Sequence, residues 1–108
     1  MNLLYLGDVL GSAGRKAIVQ HVPGLRQDLA LDFVIANGEN AAGGFGLTRK
    51  TAEELFEAGV DVLTGGNHTW DQREIVEVIR EDERVMRPLN FPEGTPGSGV
   101  PWLVVLTE

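Results

Sequence analysis

Three short polar clusters hold the side chains that can do chemistry: Gly7-Asp8, Asn37-Gly38-Glu39-Asn40 and Gly65-Gly66-Asn67-His68. Each follows a short apolar run of β character. Two carboxylates, asparagine amides and an imidazole brought together without a nearby lysine repel or lie idle unless a divalent cation supplies the missing positive charge. A metal site is the economical reading. Oxygen and imidazole donors suit manganese, iron, zinc or magnesium, and Glu39 can bridge two ions held about 3.5–4 Å apart. The chain has no cysteine, which removes disulfide frameworks, zinc ribbons, iron–sulfur centres and thiol catalysis.

The glycines around these clusters let the backbone turn sharply after a strand and approach a ligand closely. A glycine-rich loop can also cradle phosphate without metal, so two known patterns were compared with the run from Gly7 to Lys16. A dinucleotide fingerprint needs glycines two and then three residues apart, which Gly7, Gly11 and Gly14 do not give. A P-loop needs Gly-Lys followed by Ser or Thr, which is absent. Backbone N–H groups at the start of the first helix can still face an anion.

The elements that must position these clusters alternate. Residues 2–7 read as a buried strand, and 32–36 and 60–64 as the next two strands. Ser12 is placed to cap a helix carrying Ile18, Val19, Val22 and Leu25, which Pro23-Gly24 should disturb. Thr48 opens a second helix with Ala52, Leu55 and Phe56 on one face, and Gly59 stops it. Asp71 with Glu74 forms an acidic version of a capping box before Ile75, Val76 and Ile79. Residues 85–87 suggest a short fourth strand, 88–99 an extended loop and 102–106 a last strand. The fold class is therefore α/β with a largely parallel sheet of βα units, in one segment spanning 1–108. Ligands of such sheets bind at the carboxyl ends of the strands, where the three clusters lie.

Composition narrows the partners. The chain has 108 residues, 43% of them apolar, which supports one core. Nine basic residues against sixteen acidic ones give a net charge of -7, which disfavours DNA or RNA duplex binding. No apolar run approaches the roughly 20 residues that cross a bilayer and no secretory leader precedes them, so a cytoplasmic protein is expected, with no membrane partner.

The motifs Gly7-Asp8-Val9-Leu10-Gly11, Asn37-Gly38-Glu39-Asn40-Ala41-Ala42-Gly43-Gly44-Phe45-Gly46 and Gly66-Asn67-His68-Thr69-Trp70 resemble the signatures of the YmdB-like metallophosphoesterases. The later Arg87-Pro88-Leu89-Asn90 and Gly94-Thr95-Pro96-Gly97 are also similar, so the resemblance covers nearly the whole chain. It implies the N-terminal half of a metallophosphoesterase-type sandwich and a dinuclear phosphodiesterase of cyclic nucleotides, including 2′,3′-cyclic ones. The cofactors implied are two divalent ions, iron or manganese, with zinc as the alternative. By the matching motifs, Asp8 and Asn40 bind one ion, Asn67 the other and Glu39 both, while His68 donates a proton to the leaving oxygen. In-line attack by hydroxide is the implied mechanism. Family members are longer, and their second half supplies three further histidine ligands. This chain has only His21 and His68, so the expected site is half of the family's, with water filling the remaining positions. A fragment, a truncated product or a half that assembles as a homo-oligomer is expected, the last through an unfinished sheet edge and an uncovered apolar face.

Each residue also has a plainer reading. Asp8 can cap a turn, Asn40 and Asn67 can occupy left-handed turn positions, and His68 can be a hydrogen-bonded turn residue. His21 reads as a surface or packed histidine, Trp70 as core or rim rather than a base-stacking ring, and Arg15 and Lys16 as solvated helix cations rather than phosphate ligands. The acidic residues 81–83 read as a solvated face, and Phe45 as either a pocket wall or an exposed loop aromatic. Two other functions compete with the enzyme: an inactive structural or oligomerising half-domain with weak metal or phosphate binding, and a metal-free nucleotide binder.

Overall fold

The computed structural model describes residues 1–100; the strand expected at 102–106 lies outside the described residues. The chain runs β1 (Leu3–Asp8), α1 (Gly11–Asp28), β2 (Phe33–Asn37), α2 (Arg49–Glu57), β3 (Val62–Thr64) and α3 (Ile75–Glu81). The strands form one parallel sheet in the order β1-β2-β3. Right-handed crossovers between neighbouring strands place both helices on one face, and α1 indeed packs against α2. Leu4 pairs with Val34, and Leu6 with Ala36 and in turn Leu63; these residues join Val22 and Leu55 in the core. The alternate set, Leu3 with Phe33 and Tyr5 with Ile35, points the other way by the two-residue strand period. There Leu3 and Tyr5 stay 54% and 55% exposed, so β1 is not the buried strand its apolar run suggests: it ends the sheet among the described residues and none of its side chains is fully buried.

The βα alternation is as the apolar spacing indicates, with local departures at three places, the first of them α1. Leu10, not Ser12, is the N-cap of α1, and no side chain caps that end. The helix also runs through Pro23. Proline removes the hydrogen bond to the carbonyl of Val19, but Val19 is 46% exposed, so water can take the place of the missing N–H. The far end of α1 is clamped instead: Arg26 Nη1 donates to the Gly59 carbonyl and the Asp61 carboxylate, both at 2.7 Å.

Second, Asp71 and Glu74 form no capping box. Glu74 is the N-cap of α3 without a side-chain hydrogen bond, and Asp71 is drawn away to the His68 ring. Third, residues 85–87 make only an isolated parallel bridge, Leu63 with Val85. It is closed by Leu63 N–H to the Arg84 carbonyl and Met86 N–H to the Leu63 carbonyl. Pro88 lacks the N–H that a longer ladder needs. The second helix is as expected: Thr48 and Thr51 cap each other reciprocally, and Gly59, at φ +112°, lets the chain leave α2.

Candidate metal centre

Asp8 ends β1 through an irregularity in the sheet. Leu6 pairs with Ala36, but Asp8, not Gly7, pairs with Asn37. One extra residue on β1 makes a bulge, and a bulge changes the direction of the side chain that follows it. Asp8 Oδ1 accepts a hydrogen bond of 2.9 Å from Asn40 Nδ2 in the loop after β2. The first two clusters therefore touch.

The second and third clusters touch through Glu39. Its Oε2 accepts from the His68 backbone N–H at 3.0 Å, and its Oε1 accepts from Asn37 Nδ2 at 3.2 Å. Asn37 Oδ1 in turn accepts from the Glu39 N–H at 3.1 Å. Gly66 makes room for this carboxylate, because a methyl group at Gly66 would overlap both of its oxygens. The turn holding Gly66 is locked by Thr69, whose hydroxyl accepts from the Gly66 N–H and donates to the Gly66 carbonyl, both at 2.8 Å. Asp8, Asn40, Glu39 and the His68 backbone thus form a chain of contacts on the carboxyl edge of the sheet, with Asn67 exposed beside them.

The His68 ring is held separately: Nδ1 lies 2.7 Å from Asp71 Oδ2. A carboxylate on Nδ1 fixes the proton there in the neutral ring and leaves Nε2 for other chemistry. Asn37, Gly66, Thr69 and Asp71 are the supporting residues that spacing alone did not assign. Only the glycine and the asparagine carried a signal, by lying inside the clusters.

The arrangement fits a hard divalent cation on three counts. Asn40 Oδ1 is buried with no hydrogen-bond partner, which leaves an oxygen lone pair to be satisfied. The arginines in ion pairs are engaged elsewhere, with Glu54, Asp61, Glu81 and Asp82, so among the described residues no Lys or Arg neutralises Asp8 or Glu39. The donors are oxygens, as manganese or magnesium prefers. Among the described residues no three His, Cys, Asp or Glu side chains form a cage of their own.

Arg15 is not the solvated helix cation expected: its side chain, 20% exposed, is committed to Glu54 at 3.2 Å and to the Ala41 carbonyl, so it braces the loop beside Asn40 rather than reaching for phosphate. For His21 and Trp70 the plainer readings hold. His21 is exposed on α1. Trp70 packs against the core. Phe45 is 56% exposed, its carbonyl held by Gln72 at 3.1 Å and its N–H donating to the Ala42 carbonyl at 3.3 Å.

The family model described as YmdB-like protein matches residues 4–107. A Bacillus subtilis protein named 2′,3′-cyclic-nucleotide 2′-phosphodiesterase is 48% identical over 95% of this chain, which spans 39% of that protein. A crystal structure of a hypothetical protein from Thermus thermophilus superposes with a TM-score of 0.86 at 49% identity, covering 92% of this chain and 38% of that one. A structure described as a novel phosphatase from Mycoplasma pneumoniae gives 0.81 at 41% identity, over 88% of this chain and 35% of that one. The chain therefore spans under two fifths of the relatives it matches.

Proposed function

The chain belongs to the YmdB-like protein family, and on that premise we propose that it supplies the metal-binding rim of a metal-dependent phosphodiesterase acting on cyclic nucleotides, 2′,3′-cyclic ones included. The observation that carries the reading is the contact chain Asp8–Asn40 and Glu39–His68, with the Asn40 oxygen left without a partner. The name of the Bacillus subtilis relative supports the substrate class.

In this reading Asp8 and Asn40 hold one divalent ion, Asn67 the other, and Glu39 both; iron or manganese suits the set, with zinc as the alternative. Such ions, when bound, neutralise the phosphodiester and acidify water. The chain's own residues do the rest. Asn37 and the His68 N–H fix the Glu39 carboxylate so that it does not have to reorganise when charge develops. Asp71 holds the Nδ1–H of His68, so that Nε2 of the imidazolium form gives its proton to the departing ribose oxygen and the ring is left neutral with its remaining proton on Nδ1.

A second reading has one observation in its favour. The uncovered sheet face at Leu3 and Tyr5 suits a structural half that associates with another apolar surface, a second copy included. Metal titration of the purified chain, followed by hydrolysis of bis-p-nitrophenyl phosphate and adenosine 2′,3′-cyclic phosphate, separates the two. Turnover that rises with added manganese or iron supports the enzyme. Metal binding without turnover supports the structural half.

A further inference from the structure

The strap after the Leu63–Val85 bridge builds a cavity of about 250 Å³ lined by Gly66, Asn67, Pro88, Asn90 and Phe91. The strap is tied to the sheet by the Met86 N–H to Leu63 carbonyl bond of 2.9 Å. Its two ends are tied to each other by the Arg87 N–H to Ser98 carbonyl bond of 3.1 Å. A turn from Pro88 to Phe91 brings these two apolar residues to the same wall, with the exposed Asn90 between them. Trp70 backs Phe91 edge to face, at 5.7 Å between ring centroids and 80° between planes. That arrangement fixes an aromatic wall at little cost in side-chain freedom.

The cavity opens beside Asn67 and Gly66, the glycine that makes room for Glu39. It is smaller than the roughly 300–1,000 Å³ of a pocket that takes a whole drug-sized ligand, a size that suits one ring system attached to a group held elsewhere. An aromatic wall beside an amide that both donates and accepts is how proteins take up an unstacked base. Two other cavities suit a base less well. The one beside Asp8, lined also by Leu6, Val9, Ala17 and Ile18, has no aromatic residue. The one at Phe56 is rimmed by Glu53 and Glu57 and closed by Arg84, which covers the ring at 3.9 Å.

We propose that the Pro88–Asn90–Phe91 cavity receives the nucleobase of the nucleotide whose phosphodiester sits at the Asp8–Glu39–Asn67 rim. This rests on the phosphodiesterase reading above and adds to it a preference for base-bearing substrates. Phe91 supplies the stacking surface and Asn90 the polar contact to the edge of the base. Trp70 acts through Phe91 and is a positioning residue.

The test is a binding titration of the full chain, loaded with zinc, against adenosine 2′,3′-cyclic phosphate and its base-free counterpart, 1-O-methylribose 2′,3′-cyclic phosphate. Wild-type protein should bind the adenosine compound about 10-fold more tightly, the scale of one base–aromatic stack. Phe91→Ala should erase that gap and leave the dissociation constant of the base-free compound unchanged. Phe91→Leu keeps apolar bulk against Trp70 and should erase most of the gap as well, so a folding defect in the alanine variant does not decide the outcome. Equal affinities in wild type, or a gap that survives both substitutions, overturn the base site and leave the phosphodiesterase reading standing. Failure of both compounds to bind overturns that reading and the base site together.

Discussion

Replacing Gly66 with alanine should abolish cation binding at the proposed metal centre while leaving the fold in place. Gly66 does not occupy the left-handed region, so its backbone accepts alanine. The new methyl group, however, would fall on the Glu39 carboxylate. That carboxylate is the free end of a flexible side chain and can swing aside, giving up its bonds to the His68 N–H at 3.0 Å and to Asn37 at 3.2 Å. A hydrogen bond to a charged group contributes about 1.5–3 kcal/mol. Glu39 is only half-buried, so water should return most of this, leaving a net cost of about 1 kcal/mol, or about 4–8 °C in Tm for a domain of this size. Metal affinity should fall much further: disturbing a supporting group alone costs about 10–100-fold, and here the ligand proposed to bridge the two ions is itself displaced. Calorimetric titration with manganese and a thermal melt followed by circular dichroism read the two quantities on the same sample. Affinity within about twofold of wild type, below the scale of even a supporting-group defect, would refute the role given to Glu39. An unfolded variant would show instead that Gly66 serves the fold.

Three further outcomes are expected. Asp71→Asn, which removes the charge facing His68 Nδ1 at 2.7 Å, should slow hydrolysis of a cyclic nucleotide by about 10-fold or more, part of the 10²–10⁴ that a general acid contributes. It should spare bis-p-nitrophenyl phosphate, whose leaving group needs no proton; equal slowing of both substrates would remove His68 from the proton transfer. Leu55→Ala, at a core position with no exposed surface, should cost about 2–5 kcal/mol in urea unfolding, and a loss below this range would mean that the site collapses around the smaller side chain. Asp82 is held below its ordinary value of 3.8, mainly by the side-chain hydrogen bond from Arg84 and further by the Arg84 backbone N–H. A carboxyl lowered in the folded state adds stability above its unfolded value and loses it as pH falls through the folded one. Asp82→Asn should therefore cost about 0.2–1 kcal/mol near pH 7, the scale of a partly exposed pair, and nothing in strongly acidic buffer; an equal penalty at both would deny the linkage.

The βα alternation was legible because apolar residues at strand and helix periods mark which faces must be buried, and the three polar clusters fall where those periods stop. Thr48 and Gly59 were legible for the same kind of reason, each carrying a local preference that tertiary contacts do not oppose. Asp71 was not. Its spacing to Glu74 is a capping signature, but a histidine three residues earlier offers a competing partner, and the ring is the one it takes. Pro23 misled in the opposite sense, because Ile18 and Val22 remain buried and packing holds a helix that propensity alone would break. The bulge at Gly7, which redirects Asp8, depends on pairing with β2 and leaves no trace in β1 itself. The duty of Gly66 is likewise a contact with a residue 27 positions earlier, which no local pattern records.

The central claim is that the three turns at the carboxyl edge of the sheet together form a cation site. A crystal of this chain grown with excess manganese, with anomalous difference density measured at the manganese edge, tests it most directly. The expected map has two peaks sharing Glu39, one against Asp8 and Asn40 and the other against Asn67. An ordered rim with the Asp8–Asn40 hydrogen bond intact and no anomalous density beside Glu39 would contradict it.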